Sequence, residues 1–164
     1  MRGFQVAALS VGRGELGIGS LPGRGGGYGD DLAALLRWRP ALVVSMTTAA
    51  EMAQHGAANL AGDIASQGVA WRHLPVADFG APDAATEALW PEASRAAQQV
   101  LGACGRVFIH CHGGCGRSGM AALRLMIEAG EPPDDALRRL RAARPCAVET
   151  DAQEAWAVGH QPKT

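Results

Sequence analysis

The chain has 164 residues, of which 48% are hydrophobic, which is enough for one domain with a buried core. Its formal net charge at pH 7 is −1, so it lacks the excess of cations that nucleic acid or an anionic membrane selects. No apolar run reaches the length of a membrane span, and the apolar N-terminus is too short for a signal peptide. We therefore expect one domain over residues 1–164, with neither a nucleic-acid nor a membrane partner.

The first half of the chain alternates between short apolar runs and helical patterns. The predicted elements, in order, are an N-terminal strand within residues 1–9, a loop over 18–29, a helix over 32–37, a strand over 41–45, a helix from 49, a helix over 59–67 and a strand over 69–76. Asp30 and Asp31 favour the start of the first helix, and Pro40 ends that segment. Thr47 or Thr48 is the predicted N-cap of the second helix.

The second half continues the alternation with longer helices. Its predicted elements are a helix over 84–103, a strand over 106–109, a helix over 117–129 and a helix over 133–143. Strands that alternate with helices indicate an α/β fold, here a three-layer sandwich with a central, mostly parallel sheet flanked by helices. Ligands of such folds bind at the carboxyl ends of the strands.

The most informative segment follows the last predicted strand and runs His110-Cys111-His112-Gly113-Gly114-Cys115-Gly116-Arg117-Ser118. Its glycines allow successive backbone amides to turn inward, and the N-terminus of the next helix adds unpaired N–H groups and positive charge. Arg117 supplies a planar fork that can bind two phosphate oxygens. The segment therefore predicts an anion site in which residues 112–117 bind the substrate phosphate.

The same positive field favours the thiolate form of Cys111, which is the nucleophilic form of a cysteine. We expect Cys111 to attack phosphorus, and Ser118 to stabilise the sulfur when it departs in the second step. Lys163 is the only lysine of the chain, so a nucleotide-binding P-loop, which needs Gly-Lys-Ser or Gly-Lys-Thr, is excluded.

This segment resembles the signature of the cysteine-dependent protein tyrosine phosphatases, in which five residues separate His-Cys from Arg and Ser or Thr. Further similarities, in Gly14-Glu15-Leu16, Leu21-Pro22-Gly23 and Thr48 with Glu51, are closest to the kinase-associated branch of the small dual-specificity type. The resemblance implies a dual-specificity phosphatase fold and hydrolysis of phosphotyrosine through a phosphocysteine intermediate, without metal or other cofactor. Whether phosphoserine and phosphothreonine are also substrates stays open, because pocket depth decides it.

A thiolate also needs a partner that protonates the leaving oxygen. Asp78 follows a predicted strand, and the stretch Pro75-Val76-Ala77-Asp78 resembles the acid loop of the same family, so Asp78 is the predicted general acid. Asp83 is the rival, but it is better placed to cap the helix at Ala84. The run from Arg144 to Gln153 resembles a family segment whose glutamine orients the hydrolytic water; the Thr150-x-x-Gln153 pattern is equally a helix capping box.

Other interpretations of the same residues remain. The resemblance implies that His110 supports the loop through hydrogen bonds to the backbone. Cys115 is expected to be a free thiol, which either packs against neighbours or captures oxidised Cys111 in a reversible disulfide. The run Gly12-x-Gly14-x-x-Gly17 matches a dinucleotide-binding pattern, but no helix is predicted after it. A zinc site at His110, Cys111, His112 and Cys115 is disfavoured by the cysteine spacing.

For function, we predict a monomeric protein phosphatase acting in the reducing cytoplasm on phosphorylated proteins or peptides, since four cysteines in a chain of this length form no secreted disulfide framework. The first alternative is the same chemistry on a phosphoinositide or another small phosphomonoester. The second is a module that binds phosphate groups without catalysis.

Overall fold

The computed structural model describes residues 3–159, in which five strands form one sheet. The strands are β1 (Ala7–Val11), β2 (Gly14–Ser20), β3 (Leu42–Ser45), β4 (Ala70–His73) and β5 (Arg106–Cys111). Their order across the sheet is β1-β2-β5-β3-β4. β1 and β2 pair antiparallel, and the other neighbours pair parallel. The predicted mostly parallel sheet is thus confirmed, with β5 at its centre.

Seven helices cover the two faces of the sheet. They are α1 (Tyr28–Arg37), α2 (Ala49–Gln54), α3 (Leu60–Ala65), α4 (Ala84–Gly102), α5 (Gly116–Glu128), α6 (Pro133–Ala143) and α7 (Asp151–Val158). Residues of α1, α2 and α3 share one buried cluster, and residues of α4 to α7 share the other. The three-layer α/β sandwich is therefore confirmed. Within residues 3–159, no helix has the length and apolarity needed to cross a bilayer.

The strands contribute alternate side chains to the two cores, as a covered sheet requires. On β5, Val107 and Ile109 lie in the core under α4 to α7, whereas Phe108 lies in the core under α1 to α3. On β3, Val44 lies in the core under α4 to α7, and Val43 lies in the core under α1 to α3. This double burial explains why both strands are continuous apolar runs in the sequence.

The prediction of a loop over residues 18–29 was wrong at both ends, because β2 extends to Ser20 and α1 begins at Tyr28. Two glycines of β2 allow close packing: a Cβ on Gly17 would lie 2.7 Å from the Trp38 ring, and one on Gly19 would lie 3.0 Å from the Phe108 ring. Gly12 has a φ of +58° at the turn between β1 and β2. The dinucleotide-like run is therefore part of a β-hairpin.

The remaining differences concern element ends. The strand expected over 69–76 is four residues long, although Leu74 and Val76 continue to donate their N–H groups to the carbonyls of Ser45 and Met46. The N-cap of α2 is Thr48, which forms a capping box with Glu51. The predicted bounds of α6 agree with the structure.

The fold places β5 so that it leads directly into α5 at the carboxyl edge of the sheet. Residues 116–127 of α5 are all buried, because the helix lies between the sheet and its neighbouring helices. The intervening residues 112–115, together with the first turn of α5, form the segment that the sequence predicts to bind phosphate, called the phosphate-binding loop below.

Candidate active site

Cys111 is the last residue of β5, and only 3% of its surface is exposed. Its Sγ lies 3.2 Å from the Oγ of Ser118, in the first turn of α5. A hydroxyl at this distance can donate a hydrogen bond to a thiolate and so stabilise its charge. The structure therefore brings together two residues that lie seven positions apart in the signature.

The loop after Cys111 requires glycine at position 114. The φ of Gly114 is +75°, and a Cβ there would lie 2.6 Å from the carbonyl carbon of Gly19 on β2. Arg144 holds the same stretch from outside: its Nε donates to the Gly114 carbonyl at 3.0 Å and its Nη2 to the Gly113 carbonyl at 2.9 Å. In a trans peptide the N–H points opposite to the C=O. The amides of Gly114 and Cys115 therefore point away from Arg144, which suits the binding of an anion on the other side.

Arg117 is 1% exposed and is fixed by Glu51 of α2. Its Nη1 and Nη2 each donate to one Glu51 oxygen at 2.8 Å, and Nη1 also donates to the Val76 carbonyl at 2.8 Å. Burial alone would lower the pKa of Arg117, but its hydrogen bonds to Glu51 and the charges of Cys111, Glu51 and Asp78 raise it. The side chain is thus a fixed cation beside Cys111.

One hydrogen-bond donor of the Arg117 guanidinium is not used by Glu51 or Val76. Its Nε is buried and has no hydrogen-bond partner among the described residues. Glu51 occupies the edge formed by Nη1 and Nη2, so the edge formed by Nε and the second N–H of Nη2 remains for another acceptor. A buried donor without an acceptor is costly, and an oxyanion bound at this edge would satisfy it.

Asp78 lies in the loop between β4 and α4, with its side chain half-exposed. Its Oδ1 is 3.4 Å from Arg117 Nη2 and accepts a hydrogen bond from the N–H of Phe79 at 3.0 Å. Asp83 instead caps α4, accepting from the Thr86 N–H at 2.8 Å. Of the two aspartates, Asp78 is thus the one near Arg117.

Gln153 is fully buried and connects the acid loop to the phosphate-binding loop. Its Nε2 donates to the Gly80 carbonyl at 3.2 Å, two residues beyond Asp78. Its side chain also packs against the phosphate-binding loop, because a Cβ on Gly116 would lie 2.8 Å from Gln153 Oε1. Gln153 forms the capping box of α7 with Thr150 as well. The two interpretations of this residue are therefore compatible in the structure.

His110 lies beneath the loop in a buried hydrogen-bonded chain. Its Nδ1 is 3.2 Å from the Cys111 carbonyl, which can only accept, so this nitrogen carries the proton. Its Nε2 then accepts from the Ser45 hydroxyl at 2.6 Å, and Ser45 accepts from the Trp71 indole at 2.8 Å. Complete burial lowers the pKa of His110 to about 4, so the imidazole is neutral at pH 7.

Cys115 is not a free thiol, contrary to the prediction from the sequence. It forms a disulfide with Cys146, and the sequence separation of the two residues is 31. The disulfide links the phosphate-binding loop to the segment that carries Arg144 and leads to Gln153. Because Cys115 is already bonded, it cannot capture oxidised Cys111 in this state. Cys104 and Cys111 are the free cysteines of the described residues.

Glu51 and Arg144 are two site residues to which sequence reasoning assigned no role. The Thr48-x-x-Glu51 capping box was recognisable, and it holds Glu51 at the start of α2, where one carboxylate oxygen accepts from the Thr48 N–H at 2.8 Å. Arg144 had no comparable local signal. Both act on residues far away in the sequence, so only the fold identifies their partners.

Three solved phosphatase structures are similar to this chain. Kinase-associated phosphatase (KAP), determined with its catalytic-site cysteine replaced by serine, has a TM-score of 0.82 and 25% identity, over 96% of this chain and 94% of KAP. Tk-PTP in its active form has a TM-score of 0.67 and 28% identity, over 84% and 85% of the two chains. PTPMT1 in complex with PI(5)P has a TM-score of 0.73 and 18% identity, over 92% and 91%, which shows the fold alone. No curated protein matches the chain.

Fold and comparisons together define a cysteine-dependent protein phosphatase of the dual-specificity class. The family model Tc-R-P, described as "Polymorphic toxin system, DSP-PTPase phosphatase", matches residues 20–131, more than half of the chain. The chain belongs to this family.

Proposed function

We propose that this phosphatase hydrolyses phosphotyrosine in proteins or peptides through a phosphocysteine intermediate on Cys111. The single observation that carries the proposal is the Arg117 side chain, buried beside Cys111 and held by Glu51, with its Nε donor unpaired among the described residues. Arg117 and the inward amides of residues 112–117 bind the equatorial phosphate oxygens and the charge that these oxygens carry in the transition state.

In the first step, the Cys111 thiolate forms a bond to phosphorus while the bond from phosphorus to the tyrosine oxygen breaks. Asp78 gives its proton to that oxygen, so the product leaves as a neutral phenol. In the second step, Asp78 takes a proton from water, the water oxygen bonds to phosphorus, and the S–P bond breaks. Ser118 stabilises the departing thiolate, and Gln153, linked to the acid loop through Gly80, helps to position the water.

The test compares wild type with Cys111→Ser on a phosphotyrosine peptide and on p-nitrophenyl phosphate. The variant should bind vanadate or phosphate but show no turnover, and acid quenching of wild type during turnover should trap phosphate on Cys111. The exposed Cys104→Ser is the matched control and should keep full activity. Turnover by Cys111→Ser would overturn the thiolate mechanism.

The second candidate substrate is a phosphoinositide or another small phosphomonoester. Its support is the similarity to PTPMT1, a protein whose solved structure contains PI(5)P. The phosphate-binding loop argues for a peptide, because the variable positions of the loop are occupied by histidine, glycine and cysteine, with no lysine to bind a highly charged headgroup. A panel of phosphotyrosine peptide, phosphothreonine peptide and inositol phosphates separates these candidates and decides tyrosine-only against dual specificity.

A location in the reducing cytoplasm requires that Cys115 and Cys146 be two free thiols there and that the enzyme work in that form. Disulfides persist mainly in oxidising environments, so the bond favours a compartment outside the cytosol, and the family description names a toxin system. Thiol labelling of the protein in its cells decides between the two. We also propose that it acts as a monomer, because one chain supplies all the site residues named above; light scattering tests this.

A further inference from the structure

Arg24 lies at the rim of the phosphate-binding loop and has no role in the mechanism proposed above. It is an exposed residue of the turn between β2 and α1. A Cβ on Gly113 would lie 3.8 Å from Arg24 Nη1 and 3.9 Å from both Cζ and Nη2. The guanidinium thus lies beside Gly113, at the distance where a side chain on that residue would touch it.

The backbone around Arg24 is well anchored, so this position is built into the fold. The Leu21 N–H donates to the His112 carbonyl at 3.2 Å, and the Arg24 N–H donates to the Leu21 carbonyl at 3.0 Å. Gly23 is wedged against α2, because a Cβ there would lie 2.2 Å from the His55 carbonyl oxygen. The turn is therefore fixed between the phosphate-binding loop and the end of α2.

The Arg24 guanidinium has neither a hydrogen bond nor an ion pair within residues 3–159. The nearby carboxylate of Asp31 accepts a hydrogen bond from the Gly23 N–H at 2.8 Å instead. Arginine at the edge of a site that binds anions, without a carboxylate partner, can bind an anionic group of a ligand.

Two histidines, His55 and His112, accompany Arg24 at this rim of the loop. The Nε2 atoms of His55 and His112 lie 3.2 Å apart, so one ring donates and the other accepts. Arg24 and His55 also line one cavity of about 330 Å³, between the turn at Gly23 and the end of α2. Partial burial, then the charges of Arg24 and His55, lower the pKa of His112. The charge of Arg24 thus disfavours protonation of His112, and an anion bound beside the two residues would offset that effect.

We propose that Arg24, His55 and His112 form a second anion subsite, which selects phosphopeptides with another phosphoryl or carboxylate group near the phosphotyrosine. The inference rests on the proposed function and deepens it by naming the substrate class. Because Arg24 lies beside Gly113 of the phosphate-binding loop, the second group belongs close to the phosphotyrosine along the peptide.

The experiment measures kcat/KM for three matched phosphotyrosine peptides that carry glutamine, glutamate or phosphothreonine at the neighbouring position. Wild type should prefer the two charged peptides, and comparison of the two shows which anion the subsite favours. Arg24→Gln keeps the length and polarity of the side chain but removes its charge. We expect it to reduce the preference about three- to tenfold, as for a solvent-exposed charge-assisted contact.

Two further variants sharpen the test. His55→Gln should also reduce the preference, whereas Arg13→Gln should not, because the exposed Arg13 precedes β2 at the opposite edge of the sheet from the loop. A preference that is absent in wild type, or unchanged in Arg24→Gln, overturns the subsite while leaving the phosphatase function intact. Dependence on Arg24 that is seen only with inositol polyphosphates overturns the peptide assignment. Hydrolysis of p-nitrophenyl phosphate without hydrolysis of any phosphopeptide overturns the proposed function and the subsite together.

Discussion

At the scale of single residues, Glu51 positions Arg117 before any substrate binds. The two terminal nitrogens of the guanidinium are held by the two oxygens of one carboxylate, so the remaining edge has a fixed direction. This arrangement reduces the entropic cost of phosphate binding, because the Arg117 side chain is already ordered.

Glu51→Gln should therefore lower kcat/KM for p-nitrophenyl phosphate by about 10²-fold, since a small displacement of a positioned group has effects of that size. The matched control is Glu92→Gln, which removes an equally short bridge, Glu92 to Arg72, on the exposed surface. That variant should keep wild-type kinetics. Equal activity of the two variants would show that Arg117 needs no anchor.

Asp78→Asn tests the general acid through the leaving group. The loss of kcat should be about 10²–10⁴-fold for a phosphotyrosine peptide, whose phenolate is a poor leaving group. The loss should be much smaller for p-nitrophenyl phosphate, because nitrophenolate departs without a proton. Asp83→Asn serves as control, because Asp83 caps α4. An equal loss on both substrates would remove Asp78 from this role.

At the scale of structural elements, the site depends on segments that hold the phosphate-binding loop from outside. Arg144 binds two loop carbonyls, and the Cys115–Cys146 disulfide joins the same two segments covalently. Gln153 of α7 then extends this connection to the acid loop. The stretch from Arg144 to Gln153 thus supports both the binding loop and the loop that carries Asp78, the proposed general acid.

Cys146→Ala removes the disulfide and leaves the nucleophile in place. The free energy of unfolding should fall by roughly 2–4 kcal/mol, the typical range for a bridge that constrains the unfolded chain. The activity should also fall, because one of the two supports of the loop is lost. Thermal melts with and without reductant provide the check: reductant should lower the Tm of wild type but not that of Cys146→Ala.

At the scale of the whole molecule, two side chains of the site, the buried His110 and the partly exposed Glu51, make stability depend on pH. Complete burial lowers the pKa of His110 from 6.5 to about 4. Between these two pH values the unfolded chain binds a proton at His110 that the folded protein does not bind. The stability of the folded protein therefore falls as pH drops from 6.5 towards 4. The hydrogen bond from Arg117 lowers the pKa of Glu51 to about 2, so its contribution is lost as pH falls from 4.5 towards 2.

Urea unfolding at a series of pH values measures both effects. The fall in the free energy of unfolding between pH 6.5 and 4 should be smaller for His110→Gln than for wild type. Asp135→Asn, which breaks an exposed pair with Arg138, should follow the wild-type curve. A pH dependence that is the same in His110→Gln and wild type would contradict the assignment.

Much of the fold was accessible from local patterns, because apolar runs and caps act over a few residues. The central strand β5, the helices α5 and α6, and the mostly parallel sheet followed from such signals. The strand β2 was not predicted, because its glycines suggested a turn. In the structure, Gly17 instead leaves room for the Trp38 ring. No local pattern carries that information.

The amino-acid sequence by itself predicted the phosphate-binding loop, because the signature from Cys111 to Arg117 and the glycines within it lie in one short, continuous segment. Tertiary structure decided what surrounds that loop. Glu51 lies 66 residues from Arg117, and Cys146 lies 31 residues from Cys115, so the sheet order brings these partners together. The same is true of Arg24 and Arg144, whose contacts with the loop depend on where β2 and α6 end.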